Sequence, residues 1–250
     1  MDALGVLLRW LHVGAGILWI GHLYFFNFVN AQIGGVLDGD TKKKMVPELM
    51  PRALYWFRWG AVYTASTGVL LLLLVFYHGG LMFEEPNGWS TGAIVMAALT
   101  FLMFGLYDQL AKALGKNIKV FGAVAFVVVV LITYLMIHWG GFSYRAYNIH
   151  IGSMFGALMA ANVWMRIWPS QKKIIAAVKE GTAPDAALVA LAGQRSRHNT
   201  YMSVPLLYTM INAHTVVPGA NSEWYLLGAI LLGWAAVAGL YKKAGTLKGF

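Results

Sequence analysis

A chain of 250 residues that is 59% hydrophobic and only 12% charged falls outside the range of water-soluble domains, which carry roughly 45–50% apolar and about 25% charged residues. The absence of cysteine excludes disulfides, thiolate metal sites, iron–sulfur clusters and covalently attached haem, so any metal or cofactor must rest on His, Met, carboxylate or backbone. The net charge of +9 would suit nucleic acid, but the lysines and arginines lie between apolar segments, where membrane orientation accounts for them, and no nucleic-acid partner is expected.

Seven apolar segments follow in chain order: Ala3 to Ala31, Ala53 to Tyr77, Thr91 to Leu114, Ile118 to His138, Arg145 to Trp168, His198 to Val217, and Glu223 to Tyr241. Each approaches or exceeds the roughly 20 residues that cross a bilayer core about 30 Å thick, and only helices span lipid without leaving backbone groups unpaired. The fold expected is therefore an all-α integral membrane protein, a single domain over residues 1–250 built as a bundle of about seven transmembrane helices. The first segment carries Arg9, His12, His22, Asn27 and Asn30, too many polar groups for a cleaved signal peptide.

Basic residues alternate between the connections. Lys42, Lys43, Lys44 and Arg52 follow the first segment; none lies between Tyr77 and Thr91; Lys112, Lys116 and Lys119 flank the third connection; and the fourth has Arg145 alone. The fifth has Lys172, Lys173, Lys179, Arg195 and Arg197, the sixth has none, and Lys242, Lys243 and Lys248 follow the last segment. By the positive-inside tendency the N-terminus faces out and the C-terminus faces the cytoplasm of a bacterial inner membrane. The longest connection, residues 169–197, reads as two short amphipathic helices at the cytoplasmic interface, separated at Gly181 and Pro184.

Ionisable residues within spans are costly and tend to mark function. His12, His150 and His214 lie toward the outer side, His22 and His198 in the cytoplasmic half, and His78 and His138 at outer helix ends, where a histidine is usually interfacial. Helices 1 and 5 both start outside, which places His12 and His150 at similar depth, and a b-type haem needs two such imidazoles on facing helices. Gly14, Gly16, Gly152, Gly156 and Ala157 beside them would admit a porphyrin edge or simply let helices pack closely. Arg9 and Arg145 suit haem propionates or serve as snorkelling anchors. His214 is the reserve ligand of this outer site, and His22 with His198 makes a second candidate site, His198 also reading as a cap that opens helix 6. One or two b haems are expected. Arg58 and Asp108 read as a structural ion pair, and the tryptophans flanking the spans as an aromatic belt.

Four stretches carry a family resemblance: Arg9-Trp10-Leu11-His12-Val13 with Gly16, Trp19, Ile20 and Gly21; Tyr55-Trp56-Phe57-Arg58-Trp59 with Thr67-Gly68; His150 with Met159-Ala160-Ala161-Asn162-Val163; and Gln194-Arg195-Ser196-Arg197-His198-Asn199-Thr200-Tyr201 with Pro205, Met210 and Asn212-Ala213-His214. In these the chain resembles the membrane-embedded N-terminal domain of the cytochrome-c-linked bacterial urate oxidases, or urate hydroxylases. The resemblance implies a polytopic membrane domain whose relatives oxidise urate and pass electrons to a cytochrome c domain. Gly60 stands where that pattern carries an acidic residue, His22 replaces a small polar one, and no Cys-x-x-Cys-His occurs. The function expected is a haem-b redox subunit in the lipid bilayer, delivering electrons to a separate cytochrome c or respiratory complex. A proton or metal transporter or channel, and a cofactor-free accessory subunit, are the alternatives.

Overall fold

The computed structural model describes residues 2–84, 88–212 and 222–247, and among them the chain is helix and turn with no strand. We number the helices α1 (Ala3–Ile33), α2 (Gly39–His78), α3 (Thr91–Leu102), α4 (Phe104–Leu114), α5 (Ile118–His138), α6 (residues 144–179), α7 (Ala186–Asn212) and α8 (Glu223–Ala244). Helices α1, α2, α5 and α8 are each long and apolar enough to cross a membrane, and α3 with α4, bent by 52°, makes a fifth if taken as one span. Large apolar side chains such as Ile17, Trp10, Leu102 and Leu232 are about 70% exposed, the reverse of a soluble exterior. Helices α6 and α7 fall outside the apolar set because they carry Asn148, His150, Asn162, Arg195, His198, Asn199, Thr200, Ser203 and Thr209, all buried inside the protein. Burial among protein groups is what lets polar side chains occupy such helices.

Among the described residues, which leave out 213–217 of the sixth, every expected segment falls on helix, but three boundaries move. Helix α2 begins at Gly39 rather than Ala53 and runs through Pro47 and Pro51. Within residues 169–197 the chain is helical on both sides of a break at 180–185, which holds Gly181 and Pro184, and each helical stretch runs on into a long helix. Helix α6 passes through Trp168 and Pro169 to Lys179, with a π-helical turn at Val163–Ile167 just before the proline. Proline removes the amide that would bond the Met165 carbonyl, and Arg166 Nη1 donates to that carbonyl at 3.0 Å. The helix ends where Gly181 takes φ +75°, with Thr182 N–H donating back to the Ala177 carbonyl at 2.9 Å. Helix α7 then starts at Ala186, which puts His198 twelve residues inside it, not at its opening. Of two further π turns, one interrupts α1 at Phe25–Asn30 and the other ends α2 at Leu72–His78.

The chain forms two compact units. The first comprises Met1–Gly5, Gly68–Leu158 and Ser203–Gly233. Here Ser90 caps α3 by accepting from Ala93 N–H at 3.0 Å, and Asn117 caps α5 by accepting from Lys119 and Val120. Small residues set its close contacts: a Cβ on Gly92 would run into the Trp139 carbonyl, one on Gly152 into Thr209, and one on Gly233 against the Pro205 ring at 3.0 Å. The second unit comprises Val6–Thr67, Met159–Met202 and Trp234–Phe250. Its core holds Trp19, Leu23 and Phe57, with Phe26 edge-on to Phe57 at 5.3 Å. Connections 34–38 and 180–185 belong to this unit, as do most of the lysines and arginines; the first unit has only Lys112, Lys116, Lys119 and Arg145.

Candidate functional site

In the second unit, α1 presents His12 to the side of α2. Its Nδ1 lies 3.0 Å from the Thr64 carbonyl oxygen and 3.1 Å from Thr67 Oγ1. A carbonyl only accepts, so Nδ1 carries the proton and Nε2 the lone pair. Thr64 and Thr67 are held in turn by their own helix, their hydroxyls donating to the Gly60 and Tyr63 carbonyls. A half-buried imidazole tethered through Nδ1–H to a backbone carbonyl is the arrangement that orients metal-ligating histidines. Gly14 beside it has open space around its Cβ position, and a Cβ on Gly16 would stand 3.8 Å from Thr64 Cγ2, in ordinary contact. Arg9, one turn earlier, is exposed.

Gly60 has its own structural reason. A Cβ there would stand 3.1–3.2 Å from the backbone and Cβ of Trp19, so α1 and α2 touch at this point and an acidic side chain would force them apart. His22, in the next turn of α1, donates Nδ1–H to the Leu18 carbonyl at 2.7 Å, again leaving Nε2 with the lone pair.

Four residues of the stretch Arg195 to Thr200 enter the polar interior of the same unit, while Arg197 is exposed. Arg195, Asn199 and Thr200 are fully buried, and His198 is 3% exposed, which corrects its reading as an interfacial cap. Asn162 Nδ2 donates to Asn199 Oδ1 at 2.8 Å, and Asn199 Nδ2 donates to the Met159 carbonyl at 3.0 Å. Asn27, in the π turn of α1, donates to the Leu23 carbonyl and Ser196 Oγ, both at 2.8 Å, and accepts from the Tyr241 hydroxyl at 2.8 Å. The Arg197 guanidinium lies 4.7 Å from the Tyr241 ring. These bonds tie α1, α6, α7 and α8 through polar groups, which in a membrane setting supply interhelical attraction that apolar packing does not.

In the first unit, His150 is fully buried in α6. Its Nδ1–H donates to the Ala146 carbonyl at 2.7 Å, and its Nε2 accepts from the Tyr77 hydroxyl at 3.0 Å. Tyr77, placed by the π turn of α2, stacks on the imidazole at 5.7 Å with an interplanar angle of 16°, and Phe142 covers it at 4.8 Å. His150 thus has both ring nitrogens engaged, unlike His12. Asn148 is fully buried two residues earlier, and neither of its amide atoms has a hydrogen-bond partner among the described residues. Tyr144 and Gly152, one turn to either side of it, meet Asn212 and Thr209 of α7.

His12 and His150 belong to different units, and Arg145 is half-buried one turn before His150. His22 and His198 belong to the same unit. His214 lies outside the described residues. His78 and His138 are exposed at the ends of α2 and α5, as expected of interfacial groups, His138 resting on Tyr134 at 4.3 Å. Of the residues expected to pair, Asp108 meets Lys112 at 2.9 Å, one turn along its own helix, and the Arg58 guanidinium stacks on Trp168 at 3.9 Å, the two belonging to different units. Among the described residues no group of three or more His, Asp or Glu gathers as a metal site. Nothing local marks Tyr77 or Thr64, whose histidine partners lie 73 and 52 positions away in the chain.

Long apolar helices with outward hydrophobic side chains and inward polar ones define a helical membrane protein. A family model described as Urate oxidase N-terminal matches residues 33–247, and the chain belongs to that family. No curated protein and no solved structure matches it.

Proposed function

We propose that the chain is a seven-span redox subunit of the bacterial inner membrane that binds b-type haem and passes electrons to a separate cytochrome c or respiratory complex. The observation that carries this reading is His12, whose Nδ1–H is anchored to Thr64 and whose Nε2 bears the lone pair an iron would take. Arg9 is available for a propionate. His150, whose Nε2 accepts from the Tyr77 hydroxyl, and His214 are the further candidate ligands, and His22 with His198 is the candidate for a second haem. A bound haem would supply reversible one-electron transfer at its iron. A second reading, a proton pathway, is favoured by the Tyr77–His150 hydrogen bond. A reduced-minus-oxidised spectrum with pyridine haemochrome analysis, after haem-replete expression, separates the two: a Soret band supports the redox reading and its absence removes it.

The orientation proposed puts residues 34–52 and 169–197 in the cytoplasm, supported by the crowding of lysine and arginine into the unit that contains them. Single cysteines introduced at Lys43 and Lys173 should resist a membrane-impermeant thiol reagent applied from the periplasm, whereas one at His78 should react. Labelling at Lys43 or Lys173 in intact cells would reverse the topology.

A further inference from the structure

The Tyr55-Trp56-Phe57-Arg58-Trp59 stretch contains a cation for which the redox reading has no use. Arg58 is half-buried inside α2, with its guanidinium carbon 3.9 Å from the centre of the Trp168 ring and 5.7 Å from that of Tyr55. The Lys172 ammonium, one turn beyond Trp168, lies 5.5 Å from the same indole. Among the described residues neither cation pairs with a carboxylate, and the buried Nε of Arg58 has no hydrogen-bond partner. Two positive groups on one ring repel each other, and the face of an indole satisfies none of the directional N–H donors of a guanidinium. An anion between them would relieve both defects. The surrounding Tyr55, Trp56 and Trp164 are 46%, 53% and 36% exposed, and amphipathic rings of this kind collect at the depth of lipid headgroups.

We propose that Arg58 and Lys172, converging on Trp168, form a binding site for the phosphate of an anionic phospholipid in the cytoplasmic leaflet. The planar fork of Arg58 gives the phosphate two parallel donors, Lys172 adds a mobile point charge, and the aromatic rings flank the glycerol backbone. The test reconstitutes the full chain in nanodiscs of mixed phosphatidylcholine and phosphatidylglycerol, re-extracts it in mild detergent and counts retained lipids by native mass spectrometry. Phosphatidylglycerol should be retained several-fold above its share of the mixture, and Arg58→Gln and Lys172→Gln should each return it toward that share, while Lys119→Gln should not. Lys172 is exposed, so its variant keeps the fold and carries the test if Arg58→Gln does not fold. Equal retention of both lipids, or enrichment that survives in Lys172→Gln, overturns the proposal. So does loss of the lipid to moderate inorganic phosphate, which would assign the site to a soluble anion, or a drop in haem occupancy without loss of lipid, which would assign Arg58 to a propionate.

Discussion

Gly152→Ala should prevent normal folding or lower the unfolding midpoint in detergent far more than other glycine-to-alanine changes. The added methyl would overlap Thr209 Oγ1 and stand 2.9 Å from Thr209 Cβ, closer than carbon atoms pack. Turning the threonine about χ1 breaks the hydroxyl's bond to the Leu206 carbonyl, 2.7 Å long, and still leaves Cβ in the way, so α6 and α7 must part. Overpacking usually costs about 1–3 kcal/mol, and the lost hydrogen bond adds about 1 kcal/mol, so a loss of about 3 kcal/mol is expected. Thr209→Gly in the same chain should restore most of it by removing the obstructing atoms. Gly14→Ala, with nothing within 4 Å, is the control and should leave the midpoint unchanged. Equal midpoints for the two alanine variants would show that α6 and α7 do not meet as closely as described.

His12→Ala should shift a bound haem to high spin or empty its site, because no other atom at that position replaces the axial imidazole. The fold should persist, since the imidazole contributes little beyond its Nδ1–H bond to Thr64, worth about 1 kcal/mol. That separation matters: a spectrum lost together with the unfolding transition would speak only of stability. Thr67→Val is the graded companion, since it removes one of the two oxygens near Nδ1 and should perturb the spectrum less than His12→Ala. His78→Ala, at an exposed helix end, should change nothing. A well-folded His12→Ala protein with the wild-type low-spin spectrum would move the assignment to His22 and His198.

How much of this was legible depends on the range of the contacts involved. Helix α5 lies over Ile118–His138 as expected from its apolar run and the Asn117 cap, because both signals are local. The bend between α3 and α4 at Met103 had no proline to announce it, and Pro47, Pro51 and Pro169, which ordinarily stop helices, lie within helical stretches. The polar motif from Arg195 to Thr200 is legible as a motif, but its charges point to an interface, whereas the structure buries Arg195, His198, Asn199 and Thr200 and leaves only Arg197 exposed. His12 and His150 stood out as ionisable residues in apolar segments. Their partners did not, since a threonine carbonyl or a tyrosine hydroxyl is unremarked until the fold brings it near. Gly60 departs from the family pattern, and the reason for it, the close approach of the Trp19 backbone, exists only in three dimensions.

The π turns in α1 and α6 bear on how this chain should be compared with its relatives. An α-helix advances about 100° per residue, so one residue gained or lost inside a regular span rotates everything beyond it off its packed face. A π turn absorbs such a change, because it holds a residue more than the α-helical pitch requires while the segments on either side keep their facing. Differences in helix length between relatives therefore belong at residues 25–30 and 163–167, which have helix on both sides, and alignment gaps should be opened there. Within 25–30 the gap should spare Asn27, whose three bonds fix its place. A gap inside the 21 residues of α5 would instead rotate every residue beyond it off its packed face.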